Sequence, residues 1–295
     1  MTQEQELLGR DADYAYCEDL LRRNARDLWL ASLFIPQEKR RHVHALYAFD
    51  YETARVPELV SEPLLGEIRL QWWREALDEK NAEEARANPV ASALLDTIAR
   101  HDLPRNLLLE MINARQSDVY KELPMSRQAL EAYTKAATAN LFCLAAQILD
   151  SENAVLGSKA AIPAGGAYGL VRLMRALPWH YARGVHVFLP ADVFEAYHPS
   201  RGRLAAEQVL KENLAALAGV RALARSYLDQ FYEMLPNLPD KSRAAYLILC
   251  LCEPYLRLME KPGYNPRETV IELPQWRRQW IFWRTARRWS GLSPC

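Results

Sequence analysis

"DADYAYCEDLLRRNARDLWLASLF", residues 11–34, decides the fold class. Tyr16, Leu20, Asn24, Asp27, Leu28 and Leu30-Ala31 fall at three- and four-residue steps, the repeat of one helix face. Asp11, Asp13, Glu18 and Asp19 come early and Arg22, Arg23 and Arg26 late, the order that a helix dipole favours. The same pattern continues outward from this stretch. Pro36 sits at a first helical position ahead of Glu38, and Pro63 opens a helix to about Arg86 that carries Leu65, Ile68, Trp72, Trp73 and Leu77. Pro89 opens another helix and Pro104 the next, which runs to about Tyr120. Ser126 caps one whose periodic face is Leu130, Tyr133, Ala137, Leu141, Leu144 and Ile148. Later helices are predicted over about 161–177, 203–235, 240–260 and 274–290. Only "VHVFL", 185–189, alternates like a strand, and it is too short to build a sheet. The chain reads as all-α, with about ten or more helices.

Composition narrows the function classes. The 37 Lys and Arg balance 37 Asp and Glu, so there is no whole-chain reason to expect nucleic acid. Cys17, Cys143, Cys250, Cys252 and Cys295 are odd in number, and Cys250-Leu251-Cys252 is too close for a zinc-knuckle spacing. Reduced, mostly buried thiols are expected, as in a cytoplasm. The acidic start, MTQEQELLGRDADY, lacks an apolar signal core and differs from an Arg-rich transit peptide. No stretch approaches the roughly 20 apolar residues of a membrane span.

Four segments carry candidate chemistry. In "YAFDYETARVPELVSE", residues 47–62, Asp50 and Glu52 point about 200° apart on a helix and cannot share one ion. Asp50, Glu52, Glu58 and Glu62 therefore read as solvated acids near a helix end. In "INARQSDVYKE", residues 112–122, Asp118 and Glu122 at i,i+4 suit a hard cation such as Mg²⁺, while Arg115, three before Asp118, would equally neutralise it. In "AIPAGGAYGLVRLMRAL", residues 161–177, Ala161, Gly165 and Gly169 form a row of small residues that lets another helix, or a ligand, approach the backbone. Arg172 and Arg175 follow on one face, with His180, Arg183 and His186 beyond a helix end read at Pro178. Such a cluster suits phosphate or carboxylate better than a metal, although an exposed basic corner has the same spacing. Finally, "LPQWRRQWIFWRTARRW", residues 273–289, sets Trp276, Trp280 and Trp283 on one face and Arg277, Arg284 and Arg288 beside it. A basic-aromatic helix of this kind lies on an anionic membrane or docks its tryptophans on its own core.

"DLWLASLFIPQEKRRHVHALYAF", residues 27–49, resembles the helix pair that opens the squalene/phytoene synthases, and "GAYGLVRLMRAL", followed by "RGVHVFLP", resembles their second signature region. The resemblance implies a single-domain isoprenoid-synthase helical bundle around a central cavity over residues 1–295, with its core at about 11–260 and a C-terminal Trp/Arg-rich helix at about 274–290. It also implies two Asp-rich motifs holding Mg²⁺ on prenyl diphosphates, and these do not carry over. The first falls on Ala54-Arg55-Val56-Pro57-Glu58, the second on about Ala176 and His180, with Arg172 where the family has Asn. Asp118 sits where an acid is often found. "AFDYETARVPELVSEPLLGEIRLQWWREAL", residues 48–77, and "GLVRLMRALPWHYARGVHVFLPADV", residues 169–193, are similar to the complex I assembly factor 6 proteins and their bacterial relatives, with Glu52, Arg69, Gln71, Trp73, Arg175, Pro178 and His180 at matching positions.

That branch implies a non-catalytic bacterial protein acting in assembly of the peripheral arm of respiratory complex I. The expected location is cytoplasmic, extended to a peripheral position on the inner face of the cell membrane through residues 274–290. The expected site is a vestigial anion pocket of Arg55, Glu58, Arg172, Arg175, His180 and Arg183, with Asp118 as an acid remnant and no metal. It would take a prenyl diphosphate or an anionic phospholipid, more tightly as His180 protonates towards about pH 6. The alternative is a residual prenyl transferase condensing prenyl diphosphates, and only that reading needs Mg²⁺.

Overall fold

The computed structural model describes residues 3–78, 81–120, 126–182 and 206–289. Helices dominate, and no strand occurs among the described residues. In chain order they are α1 (Gln3–Asn24), α2 (Arg26–Ser32), α3 (Gln37–Ala54), α4 (Pro63–Ala76), α5 (Ala82–Ala85), α6 (Pro89–His101) and α7 (Arg105–Val119). After them come α8 (Arg127–Thr134), α9 (Asn140–Leu149), α10 (Ala154–Ala182), α11 (Ala206–Met234), α12 (Asp240–Arg243), α13 (Cys252–Leu258) and α14 (Gln275–Arg288). A π-helical turn, Lys135–Ala139, links α8 to α9, and a 3₁₀ segment, Ala244–Leu251, links α12 to α13.

Residues 11–34 form two helices rather than one. Ala25 leaves the helical region at φ −128°, ψ 52°, and α2 starts afresh at Arg26. The inward face is Tyr14, Cys17, Leu21 and Leu28, while Tyr16 is half exposed. A one-position error in the face inverts which aromatic is buried. The same happens on α4, where Gly66, Leu70, Trp73 and Leu77 are buried and Leu65, Ile68 and Trp72 are exposed.

At the centre lies α3, in which every residue from His42 to Asp50 is buried. It packs against α1, α6, α7 and α9, and α10 packs on α9 and α11. Gly165 and Gly169 of α10 face the π turn: a Cβ at Gly165 would overlap the Ala139 backbone, and one at Gly169 would press on Thr134 and Thr138. The small-residue row is therefore a helix-packing seam. Pro178 does not end α10, which continues to Ala182. A proline removes one helical hydrogen bond, and burial of Leu177 and Pro178 itself holds that turn against the core.

Two histidines of α3 make stability depend on pH. Burial pushes His42 down to about 3 and His44 down to about 4. His42 Nδ1 lies 2.9 Å from the Tyr14 hydroxyl and 3.0 Å from Thr97 Oγ1. Above about pH 6.5 both residues are neutral in either state, and their contribution is fully present. Below it the unfolded chain takes up protons that the folded chain refuses. Stability should then fall with a slope of about 1.4 kcal/mol per pH unit for each histidine until the folded values are reached. Denaturant midpoints between about pH 6.5 and about pH 4.5 measure this, and His42→Asn should flatten the slope.

Candidate functional site

A cavity of about 680 Å³ lies between α3, the segment that follows it, α7, α8, the π turn and α10. Its wall includes Ala54 at the end of α3, Arg55 and Glu58 after it, Arg115 and Asp118 on α7, Tyr133 on α8, and Arg172, Ala176 and His180 on α10. Four of the expected pocket residues, Arg55, Glu58, Arg172 and His180, thus share one wall with Asp118. Arg183, like His186 and Glu122, lies outside the described residues.

Behind this wall sits an ion-pair network that the sequence reading missed. Asp50 is not a solvated acid. Its Oδ1 accepts from Arg115 Nη2 and its Oδ2 from Arg172 Nη1, both at 2.8 Å, and its side chain is only 2% exposed. Arg115 Nη1 donates to the Tyr133 hydroxyl, which donates to Asp118 Oδ2, each at 2.8 Å. Arg115 also stands 3.6 Å from Asp118, the neutralising role left open by their three-residue spacing. Burial nevertheless pushes the Asp118 carboxyl above its ordinary value, with Arg115 opposing the rise. Asp118 Oδ1 has no hydrogen-bond partner among the described residues. Arg55 pairs with Glu52 at 3.3 Å, so that cation too is matched locally.

Arg175 turns elsewhere. A second cleft of about 480 Å³ is lined by Arg23, Arg26, Asp27, Arg175, Glu272 and Arg278, with Arg172 at the boundary of both. Asp27 is its hub: it accepts from Arg175 at 3.1 Å, from Arg278 at 2.7 Å and from the Tyr255 hydroxyl at 2.6 Å. Arg172 and Arg175 share this second cleft, but only Arg172 also reaches the first, because each is drawn to a different buried carboxylate. Nothing local in sequence signals these bonds, whose partners lie more than one hundred residues apart.

The wall residues also bear on Mg²⁺, which the family resemblance implies. Such an ion needs several oxygen donors, usually including carboxylates. Ala54 and Ala176 offer none, Asp118 is held by Tyr133, and Asp50 is held by two guanidinium groups. Among the described residues no three His, Cys, Asp or Glu side chains are grouped to hold a metal ion. Glu58 and Glu62 also line the cavity, but among the described residues the carboxylates are not grouped as a magnesium cluster requires.

A family model for squalene/phytoene synthase matches residues 21–284. The chain belongs to that family. A complex I assembly factor 6 of Rattus norvegicus is 28% identical over 279 residues, covering 92% of this chain and 83% of that protein. A 15-cis-phytoene synthase of Synechococcus elongatus is 23% identical over 280 residues, covering 90% and 89%. Among solved structures, a dehydrosqualene synthase bound to a ligand superposes with a TM-score of 0.79 at 18% identity, covering 95% of this chain and 97% of that one. A squalene synthase of Alicyclobacillus acidocaldarius gives a TM-score of 0.69 at 22% identity, covering 88% and 97%. The fold is the isoprenoid-synthase helical fold of these family members.

The tryptophans of α14 divide: Trp283 is half-buried against the core, and Trp276 and Trp280 are not docked on it. Phe282, Ala286 and Trp289 are buried, and Arg278 reaches Asp27, whereas Trp276 and Trp280 are exposed. The helix packs on the body chiefly through Phe282 and Ala286, with only Trp283 of the aromatic stripe reaching the core. No helix among the described residues is long and apolar enough to cross a membrane.

Proposed function

We propose that this protein is a non-catalytic member of the squalene/phytoene synthase family that acts in assembly of the peripheral arm of respiratory complex I. Its cavity would hold an anionic headgroup, of a prenyl diphosphate or a phospholipid, without metal. One observation carries the reading: Ala54, Ala176 and His180 line the cavity where the family resemblance sets metal-binding acids, and the adjacent cations are fixed by Asp50. The relatives named complex I assembly factor 6 support the cellular role.

The chemistry follows from the wall. Ionising a prenyl diphosphate needs positive charge that builds on the leaving group, and losing one such stabiliser costs on the order of 10²–10³ in rate. Losing the metal cluster removes more than one. Binding is less demanding. A guanidinium has five N–H donors, so Arg172 can keep its bond to Asp50 and still donate to a ligand. A raised carboxyl at Asp118 lessens the negative charge that such a ligand would meet.

Calorimetry with farnesyl diphosphate, first in EDTA and then in Mg²⁺, tests the pocket. Equal binding in both and no released diphosphate are expected. Strictly Mg²⁺-dependent binding would refute the metal-free pocket, and a condensed prenyl product would establish the transferase. In cells, deleting the protein should lower assembled NADH dehydrogenase without changing prenyl products, and unchanged complex levels would refute the assembly role.

A further inference from the structure

The geometry points to the outer face of α14 as a docking surface for an anionic lipid bilayer. This goes beyond the cavity reading and rests on different residues. α14 holds two faces with separate tasks. Its inner face, Arg278, Phe282, Ala286 and Trp289, is spent on the body of the protein, with Arg278 held 2.7 Å from Asp27. The opposite face takes Trp276, Trp280, Arg284 and Arg287 at helical spacing, flanked by Arg277 and Arg288, with Trp283 at its margin, half-buried against the core. Trp276 is 70% exposed and Trp280 is 53% exposed. Trp280 stacks on Trp283 at 5.1 Å, and the Arg287 guanidinium lies 4.2 Å from the Trp283 ring centre.

Exposed indoles next to one another are unfavourable in water, where each carries a large apolar surface. Here they survive beside four exposed arginines, and α14 contains no acidic residue; Glu272 lies ahead of its first turn. A partner must therefore accept apolar rings and supply negative charge along the length of the helix, about 20 Å. The interface of an anionic bilayer does both. Indoles settle at headgroup depth with the N–H towards water, and arginine stems run along the apolar layer while their heads reach phosphate. The inner anchor at Asp27 keeps α14 flat on the body, so the helix would lie in the membrane plane.

The test uses the whole protein and vesicles of phosphatidylcholine, with and without phosphatidylglycerol. Co-sedimentation is expected only with phosphatidylglycerol present, with a blue shift of tryptophan emission and loss of binding as salt shortens the screening length. Arg284→Gln with Arg287→Gln should weaken partitioning about fivefold per arginine. Trp276→Ala with Trp280→Ala should abolish most of the blue shift. These side chains point away from the core, so circular dichroism should match the parent. Should a variant misfold, lipid and salt dependence of the parent alone decide the matter. Equal binding to neutral vesicles, binding to neither, or a folded double variant that partitions like the parent would overturn the proposal. Binding to a polyglutamate peptide but not to phosphatidylglycerol vesicles would overturn it in favour of an acidic polypeptide.

Discussion

Replacing Asp50 with alanine is expected to lower the free energy of unfolding by about 3–5 kcal/mol, the cost of leaving buried charge uncompensated. Two guanidinium groups depend on this one carboxylate, and the side chains of Arg115 and Asp50 are 6% and 2% exposed. Removing the carboxylate leaves the buried Arg115 with only the Tyr133 hydroxyl and the more distant Asp118 as partners. Burial acts to depress the Arg115 guanidinium, and Tyr133 and Asp50 outweigh that and hold it above its ordinary value. Asp50→Asn should cost less, because the amide oxygen still accepts one bond. The informative contrast is Asp50→Leu with Arg115→Met and Arg172→Met, which removes Asp50 together with both of its guanidinium partners and should recover most of the loss. Urea titrations at constant slope measure all three. A loss under about 1 kcal/mol for Asp50→Ala would show that the network carries no stability.

The helix starts were legible because they rest on local chemistry. Pro63 and Pro89 open helices as read, and Ser126 accepts from the Ala129 amide as a cap should. Pro36 is off by one, lying just ahead of the first residue of α3. Helix faces were less legible. A helix buried on every side has no amphipathic stripe, so nothing in the pattern of α3 announces that Asp50 is enclosed. The prior that a helical acid meets solvent fails where the helix has no solvent face. For α14 Phe282 and Ala286 are buried and Trp283 is half-buried, while the indoles of Trp276 and Trp280 stay exposed. Size alone would have chosen the other face.

The site was legible chiefly through the family resemblance. Residue spacing cannot bring Arg55 to Arg172, yet the resemblance placed both at one site and the fold puts them on one cavity wall. Arg175 was grouped with them because it shares a helix face with Arg172 at i,i+3. The fold separates the two by giving each a carboxylate from a different helix, Asp50 from α3 and Asp27 from α2. Tyr133 was read as part of a periodic core face. Its hydroxyl, bonded to both Arg115 and Asp118, makes it the link between the wall and the network behind it.

Gly165→Ala is expected to destabilise the protein by about 2 kcal/mol even though alanine is the better helix former. The propensity gain is about 1 kcal/mol. Against it stands steric overlap with the backbone N and Cα of Ala139, atoms that cannot rotate away as a side chain can. Either α10 moves off the π turn or the turn itself shifts, and overpacking of this kind costs about 1–3 kcal/mol or more. Gly169, one turn further along the same seam, supplies the control. A Cβ there would meet side-chain atoms, the Thr134 methyl and the Thr138 hydroxyl at 3.0 Å and the Thr134 Cβ at 3.2 Å. Those groups can yield, so Gly169→Ala should stay within about 1 kcal/mol of the parent. Thr138 and Gly169 also line the cavity. Prising the seam apart at Gly165 should therefore widen the cavity and weaken farnesyl diphosphate binding, whereas Gly169→Ala should leave the fold intact. Thermal melts of the two variants decide the point: equal midpoints would mean that the close approach of α10 to Ala139 is not what holds this wall in place.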